Sequence, residues 1–281
     1  MESLRDSDEY RSFLASIPRK KVLVEAWSGE SWLLFDGGPR LDNRSRRRPI
    51  LFLPPLCGRA DAFFRQILPL TALGFRVLSV DYPPVWRLND FCLSLERLLD
   101  TMDIEQVHIF GASLGGYLAQ AFAERKPTRV RSLILCNSFL DTACFHGPFT
   151  SPFWYSLLPG WLLKRQVLGE LSAIWLGAPM AAALDFMVES LESLDQLHLA
   201  TRLSLVSQQA SLETLRIKCP VTVVEVMDDC WLSEEVREAQ ASAYPSSRRA
   251  TLKIGGDFPY LSVPDQLNLF IRVHMNALEN T

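Results

Sequence analysis

Apolar positions along this chain fall into short blocks whose spacing changes from strand-like to helix-like and back. The runs 22–27 and 31–35, split by Ser28-Gly29-Glu30, predict a β-hairpin ended by Asp36-Gly37-Gly38-Pro39. From Pro49 the blocks alternate. Strands are predicted over 50–53, 75–80, 107–110 and 130–136. Helices are predicted over 60–70, 88–99 and 114–124; the second places Phe91, Leu95, Leu98 and Leu99 on one face. The alternation stops near Asn137 and resumes with a strand over 220–226, a helix over 234–243, a strand over 250–254 and a helix over 265–278. Such alternation predicts an α/β fold, a mostly parallel sheet with helices on both faces. The interruption carries Phe149, Phe153, Trp154, Tyr155, Trp161, Trp175 and Phe186, and reads as a helical cap inserted between two strands. The expected organisation is an N-terminal segment over 1–19 and one α/β domain over 20–281, with the cap at about 139–218.

Composition narrows the classes. With 48% hydrophobic residues the 281-residue chain can bury a large core. A formal net charge of −3 gives no bulk attraction to nucleic acid or to anionic membrane. The N-terminus is charged and lacks an apolar signal segment, and no apolar run approaches the roughly 20 residues that span a bilayer. Cys57, Cys92, Cys136, Cys144, Cys219 and Cys230 form no C-x-x-C pair, so reduced thiols in the cytosol are expected, with no metal and no cofactor. Arg44 and Arg46 to Arg48 read as a solvated basic turn.

The most specific chemistry is Gly111-Ala112-Ser113-Leu114-Gly115. It lies between the strand ending at Phe110 and the helix that follows. A G-x-S-x-G at a strand-to-helix junction is a nucleophile elbow: the serine sits in strained backbone, and Gly111 and Gly115 let strand and helix approach.

Element order, cap position and elbow together resemble the α/β-hydrolase fold over roughly residues 20–279. More narrowly, the chain resembles the maspardin family. The stretches that carry the likeness are Phe52-Leu53-Pro54-Pro55, Phe63-Phe64-Arg65-Gln66-Ile67-Leu68, Phe110 to Gly116, Leu133 to Phe139 and Gly255-Gly256-Asp257-Phe258-Pro259-Tyr260-Leu261. The resemblance implies a cytosolic protein that binds other proteins rather than hydrolysing a substrate, peripheral to endosomal and trans-Golgi membranes. Its unidentified protein partner would include a receptor's cytoplasmic tail.

Serine hydrolysis needs a nucleophile, a base within about 3 Å and donors aimed at the oxyanion. Ser113 fits the nucleophile. The acid in the hydrolase pattern follows the strand at 220–226, where register selects Asp229 with Asp228 as the near alternative. The resemblance would put the base histidine where Asp257 stands. A carboxylate, with an ordinary pKa near 4, is a poor base for an alcohol. Beside Asp229 it would also face like charge, which raises one pKa or attracts a cation. Of the four histidines, His108 lies below the elbow, His274 near the end of the last helix and His198 on the cap; His146 is the one substitute a cap loop could bring over. The oxyanion loop, Leu53-Pro54-Pro55-Leu56-Cys57-Gly58, lacks N–H groups at its prolines, leaving Leu56 and Leu114 as donors.

The expected function is therefore a non-catalytic, protein-binding α/β-hydrolase-like module. The alternative is a serine esterase, lipase or thioesterase using Ser113 with an atypical base. A third reading is a receptor for an apolar ligand under the cap.

Overall fold

The computed structural model describes residues 3–25, 29–39, 47–142, 152–170, 177–208, 212–229 and 232–279. The predicted hairpin is β1 (Arg19–Glu25) and β2 (Glu30–Gly37), paired antiparallel. The alternating region supplies β3 (Ile50–Leu53), β4 (Val77–Asp81), β5 (Val107–Ala112) and β6 (Val130–Cys136), and the chain returns to the sheet with β7 (Val221–Val226) and β8 (Arg248–Leu252). One sheet results, in the order β1-β2-β4-β3-β5-β6-β7-β8. Every pairing from β4 to β8 is parallel.

Burial follows position. Every residue of β3, β4 and β5 is buried, as strands covered on both faces must be. At the two edges, β1 opens with Arg19-Lys20-Lys21 and β8 with Arg248-Arg249, charges that discourage pairing with another chain. Those two arginines explain why β8 starts two residues before the predicted 250–254: an edge strand tolerates charge that hydrophobic patterning reads as loop.

Helices α2 (Phe64–Ala72), α3 (Leu88–Thr101) and α4 (Leu114–Arg125) match the predicted periodicity, as do α9 (Glu234–Ala243) and α11 (Pro264–Glu279). The helix expected from residue 60 instead begins with a 3₁₀ turn, Ala60–Phe63. Side chains at the end of β4 hold that turn. The Asp81 carboxylate accepts from Ala60 N–H at 2.6 Å, and Ser79 Oγ donates to Ala60 O at 2.6 Å. Two helices had no patterning signal: α1 (Asp8–Ser16), which buries only Tyr10 and Phe13, and the four-residue α10 (Pro259–Ser262).

Between β6 and β7 run α5 (Pro152–Leu157), α6 (Gly160–Glu170), α7 (Ala178–Glu192) and α8 (Gln196–Ser207). The N-terminal segment fastens α7 to the core. Arg5 reaches Asp61 at 2.6 Å, Ser190 Oγ at 2.7 Å and Glu189 at 3.1 Å, with its guanidinium 4.0 Å from the Phe186 ring centre. Phe186 stacks on Phe64 of α2 at 5.8 Å.

A polar chain crosses the opposite end of the sheet from the elbow. His108 Nδ1 lies 2.6 Å from Ser132 Oγ, Ser132 Oγ lies 2.7 Å from His274 Nε2, and His274 Nδ1 lies 2.7 Å from Thr222 Oγ1. Burial holds both rings neutral: His108 is pushed down to about 3 and His274 to about 4. The unfolded chain, with histidines near 6.5, therefore binds more protons than the folded one at mildly acid pH. Stability from this chain is complete above about pH 6.5 and falls as pH drops toward the folded values, by about 1.4 kcal/mol per pH unit for each histidine. Urea midpoints at pH 7.5, 6 and 5 should fall more steeply in the native sequence than in His108→Gln/His274→Gln protein; parallel slopes would contradict the assignment.

Strand β5, helix α4 and the end of β3 meet at two glycines. A Cβ on Gly111 would lie 2.6 Å from Gly115 C and Gly116 Cα. A Cβ on Gly115 would overlap Leu53 O and lie 2.7 Å from Pro54 O. These obstacles are backbone, so no side-chain rotation relieves them. Gly115→Val is expected to lower the thermal midpoint by several degrees, consistent with about 1–3 kcal/mol of overpacking; an unchanged midpoint in a calorimetric scan would show that the contact can relax.

Candidate functional site

The elbow forms as the G-x-S-x-G pattern requires. Ser113 adopts φ +48° and ψ −116°, a strained conformation for a residue with a side chain. The surroundings enforce it. Ser113 N–H donates to Cys136 O at 3.0 Å, and Ser113 O accepts from Gly116 N–H at 2.9 Å and Tyr117 N–H at 3.1 Å. The hydroxyl is thus presented at the carboxyl end of β5, half-buried.

Beside it the 54–58 loop is held by its carbonyls. Pro54 O accepts from the Tyr82 hydroxyl and Pro55 O from Gly58 N–H at 3.0 Å. Leu56 O and Gly58 O both accept from Arg202 Nη1, at 2.8 and 2.5 Å. In a trans peptide the N–H points opposite to the carbonyl. Tying Pro55 O into the turn therefore turns the Leu56 N–H outward, and Leu56 lines the cavity at Ser113. Leu114, the other donor read from sequence, begins α4 directly after the serine but does not line that cavity.

The carboxylates converge on the serine. Asp229 and Asp257 line the same cavity as Ser113, together with Pro55, Cys57, Asn137 and Phe258. Asp229 is buried, and Arg237 Nη2 lies 3.8 Å from its Oδ2 and 3.0 Å from its backbone O. Asp228, the near alternative, turns away: its Oδ1 accepts from Gly256 N–H at 2.8 Å, shaping the loop that carries Asp257. The cavity itself measures about 20 Å³, room for one water molecule.

No described histidine reaches it. His108 and His274 are locked in the chain through Ser132, and His198 Nδ1 sits 2.8 Å from Asp195 at the start of α8. His146 lies outside the described residues. Among the described residues no group of acids, histidines and cysteines could hold a metal ion, and Cys57, Cys92, Cys136 and Cys219 are free thiols; Cys144 and Cys230 lie outside them. Burial pushes the Cys57 thiol beside Ser113 up to about 12, so it is no nucleophile near neutral pH.

Two residues had gone unread. Asn137 takes φ +44° at the end of β6, and its Nδ2 donates to Gly256 O at 3.3 Å, joining that strand end to the Asp257 loop. Asparagine's tolerance of positive φ was the available signal. Arg202 was the lone cation in an apolar helical stretch, on the face of α8 that buries Leu199, Leu203 and Val206. A charge on a buried face is itself a signal.

This geometry agrees with what the chain is similar to. A family model described as alpha/beta hydrolase fold matches residues 48–165. Maspardin from Danio rerio is 45% identical over 285 residues, covering 100% of this chain and 90% of the relative. Maspardin from Homo sapiens is 45% identical over 285 residues, covering 100% and 91%. The chain belongs to the maspardin family. Among solved structures, a malate-bound thermophilic esterase from Thermogutta terrifontis superposes with a TM-score of 0.76 at 19% identity, covering 93% of this chain and 99% of that one, a likeness of fold. In this maspardin-family chain the elbow and the fold of a hydrolase are present, and two carboxylates share the site with the serine.

Restoring an imidazole tests the geometry. In Asp257→His a ring at that position can take the Ser113 proton on one nitrogen and donate to Asp229 from the other. Weak labelling by a fluorophosphonate probe is expected for Asp257→His, with none for the native sequence and loss again in Asp257→His/Asp229→Ala. Equal labelling of all three would show that the two aspartates do not face the serine as assigned.

Proposed function

We propose that this chain is a protein-binding module built on a hydrolase fold without hydrolase chemistry, with Ser113, Asp229 and Asp257 as vestigial triad positions. One observation carries the reading: Ser113, Asp229 and Asp257 line one cavity with room for a single water, and no described histidine lines it. The resemblance read from the sequence implies the same reading: a protein that binds other proteins, a receptor's cytoplasmic tail among them, at endosomal and trans-Golgi membranes. Among the described residues no helix is long and apolar enough to cross a membrane.

The cap supplies a surface of the right kind. Its large apolar residues divide: Tyr155 and Phe186 are core, whereas Trp154, Leu157 and Trp161 are 51%, 59% and 65% exposed on α5 and α6. Phe149 and Trp175 lie outside the described residues. Exposed tryptophan beside leucine is costly in water and is typical of protein-contact hot spots. A serine hydrolase remains the competing reading, favoured by the strained elbow and the held 54–58 loop.

The two part cleanly in experiment. Short-chain fluorogenic esters should show no turnover above background, because no described imidazole lies at the site to supply general-base catalysis worth about 10²–10⁴-fold. Turnover that disappears in Ser113→Ala would overturn the proposal. Proteins retained by the native chain should be retained equally by Ser113→Ala and lost by Trp154→Ser/Trp161→Ser at unchanged thermal midpoint. The reverse pattern would place binding at the elbow.

A further inference from the structure

The two edges of the sheet differ in how their charges are met. On β1, Arg19 pairs with Asp81, and Lys20 with Asp36 at 3.3 Å. At the other edge, β8 pairs on one side only, with β7, and its second side is the end of the sheet. Arg248, Arg249, Thr251 and Lys253 are all exposed there.

Backbone groups along a strand turn alternately to its two sides. Leu252 O accepts from Met227 N–H at 2.9 Å, so Leu252 and Ala250 turn their backbone groups toward β7. Arg249 and Thr251 therefore turn N–H and C=O outward, where no strand pairs with them. Such an edge can accept another strand, and its charges select which one.

The charges on β8 are unanswered within the chain. Arg248, Arg249 and Lys253 form no ion pair among the described residues. Glu225, the acid of β7, stands opposite Thr251 and pairs with none of them. The acids of α9 lie in its first half, which Arg237 ties to Asp229 beyond the end of β7. Successive side chains of a strand point to opposite faces. Arg248 stands opposite Thr222, whose hydroxyl meets His274 of α11, so Arg248 lies on the α11 face and Arg249 on the other. A second copy of β8 would set arginine against arginine. An acidic strand would bring the right charge to both faces.

We propose that the open edge of β8 is a docking site for an extended acidic segment of a partner protein. The segment adds to the sheet as a further strand and sets two successive acidic residues against Arg248 and Arg249. The inference rests on the reading of the chain as a protein-binding module and adds a contact on a different element from α5 and α6.

The probe is a capped peptide, Glu-Glu-Val-Thr-Val-Glu-Glu, with a version carrying lysine for every glutamate as control. Added to the nitrogen-15-labelled full chain, the acidic peptide should shift the Arg249 and Thr251 amide peaks to saturation, with a half-point of about 1 mM or below. At saturation it should slow hydrogen exchange of those two amides about fivefold or more. The lysine peptide should do neither. No saturable shift would overturn the site, equal binding of both peptides would overturn the acidic assignment, and saturation without slowed exchange would overturn strand addition. Arg248→Ser/Arg249→Ser should weaken the acidic peptide about fivefold or more. Thr251→Pro removes an N–H that the sheet does not use and should abolish saturation. Unchanged affinity in either variant would count against the proposal. Protection of the same amides that rises with protein concentration, without peptide, would put a second copy on the edge instead. Trp154→Ser/Trp161→Ser should bind the peptide as the native sequence does, so this inference and the reading of α5 and α6 fail separately; loss of binding in that variant would move the peptide to the cap.

Discussion

The contact among β3, β5 and α4 at Gly111, Gly115 and Leu53 is the constraint on which the rest of this structure depends. Backbone meets backbone there, with space for hydrogen and not for carbon. That proximity turns the chain from strand to helix within one residue and leaves Ser113 in strained backbone. The strain is offset by hydrogen bonds to Cys136, Gly116 and Tyr117. The elbow is thus a structural joint in its own right. None of these packing interactions needs a proton acceptor beside the serine, so an intact elbow is no proof of catalysis.

The same separation of scaffold from chemistry runs through the surrounding loops. The 54–58 loop is held by Tyr82, Gly58 and Arg202, none of which depends on a substrate. The Asp257 loop is shaped by Asp228 and joined to β6 by Asn137. These contacts bring the Asp257 loop to the cavity that Ser113 and Asp229 also line. Hydrolysis demands a group that can both take and return a proton near neutral pH. Among the described residues no histidine lines the cavity that holds Ser113, Asp229 and Asp257. The fold also leaves Trp154 and Trp161 exposed on α5 and α6, away from the buried core.

Much of this was legible in the sequence because the signals were local. The elbow is a five-residue motif whose geometry follows from its glycines. The strands β3 to β7 read as mainly apolar runs, and the aspartates after β7 were read by counting onward from its end. The β8 start and the turn at Ala60 were not legible, because each is set by partners distant in sequence: β7 pairing for one, Asp81 and Ser79 for the other. Helix α1 was missed because two buried side chains are too few to establish a period. Arg202 was missed for a related reason. Its carbonyl partners lie more than a hundred residues earlier in the chain, and nothing near it in sequence announces them.

Histidine and arginine are buried here by different means, and the difference bears on how the fold is held together. His108 and His274 can lose their charge, so a hydroxyl chain through Ser132 and Thr222 satisfies them completely. They need nothing from outside the protein at neutral pH. Arg202 has no neutral form to retreat to, and backbone carbonyls meet only one of its three nitrogens. Carbonyl dipoles offset only part of the desolvation of a full charge. Among the described residues the most deeply buried cation thus sits where the cap meets the 54–58 loop, and its two carbonyl hydrogen bonds tie the seating of α8 to the loop beside Ser113.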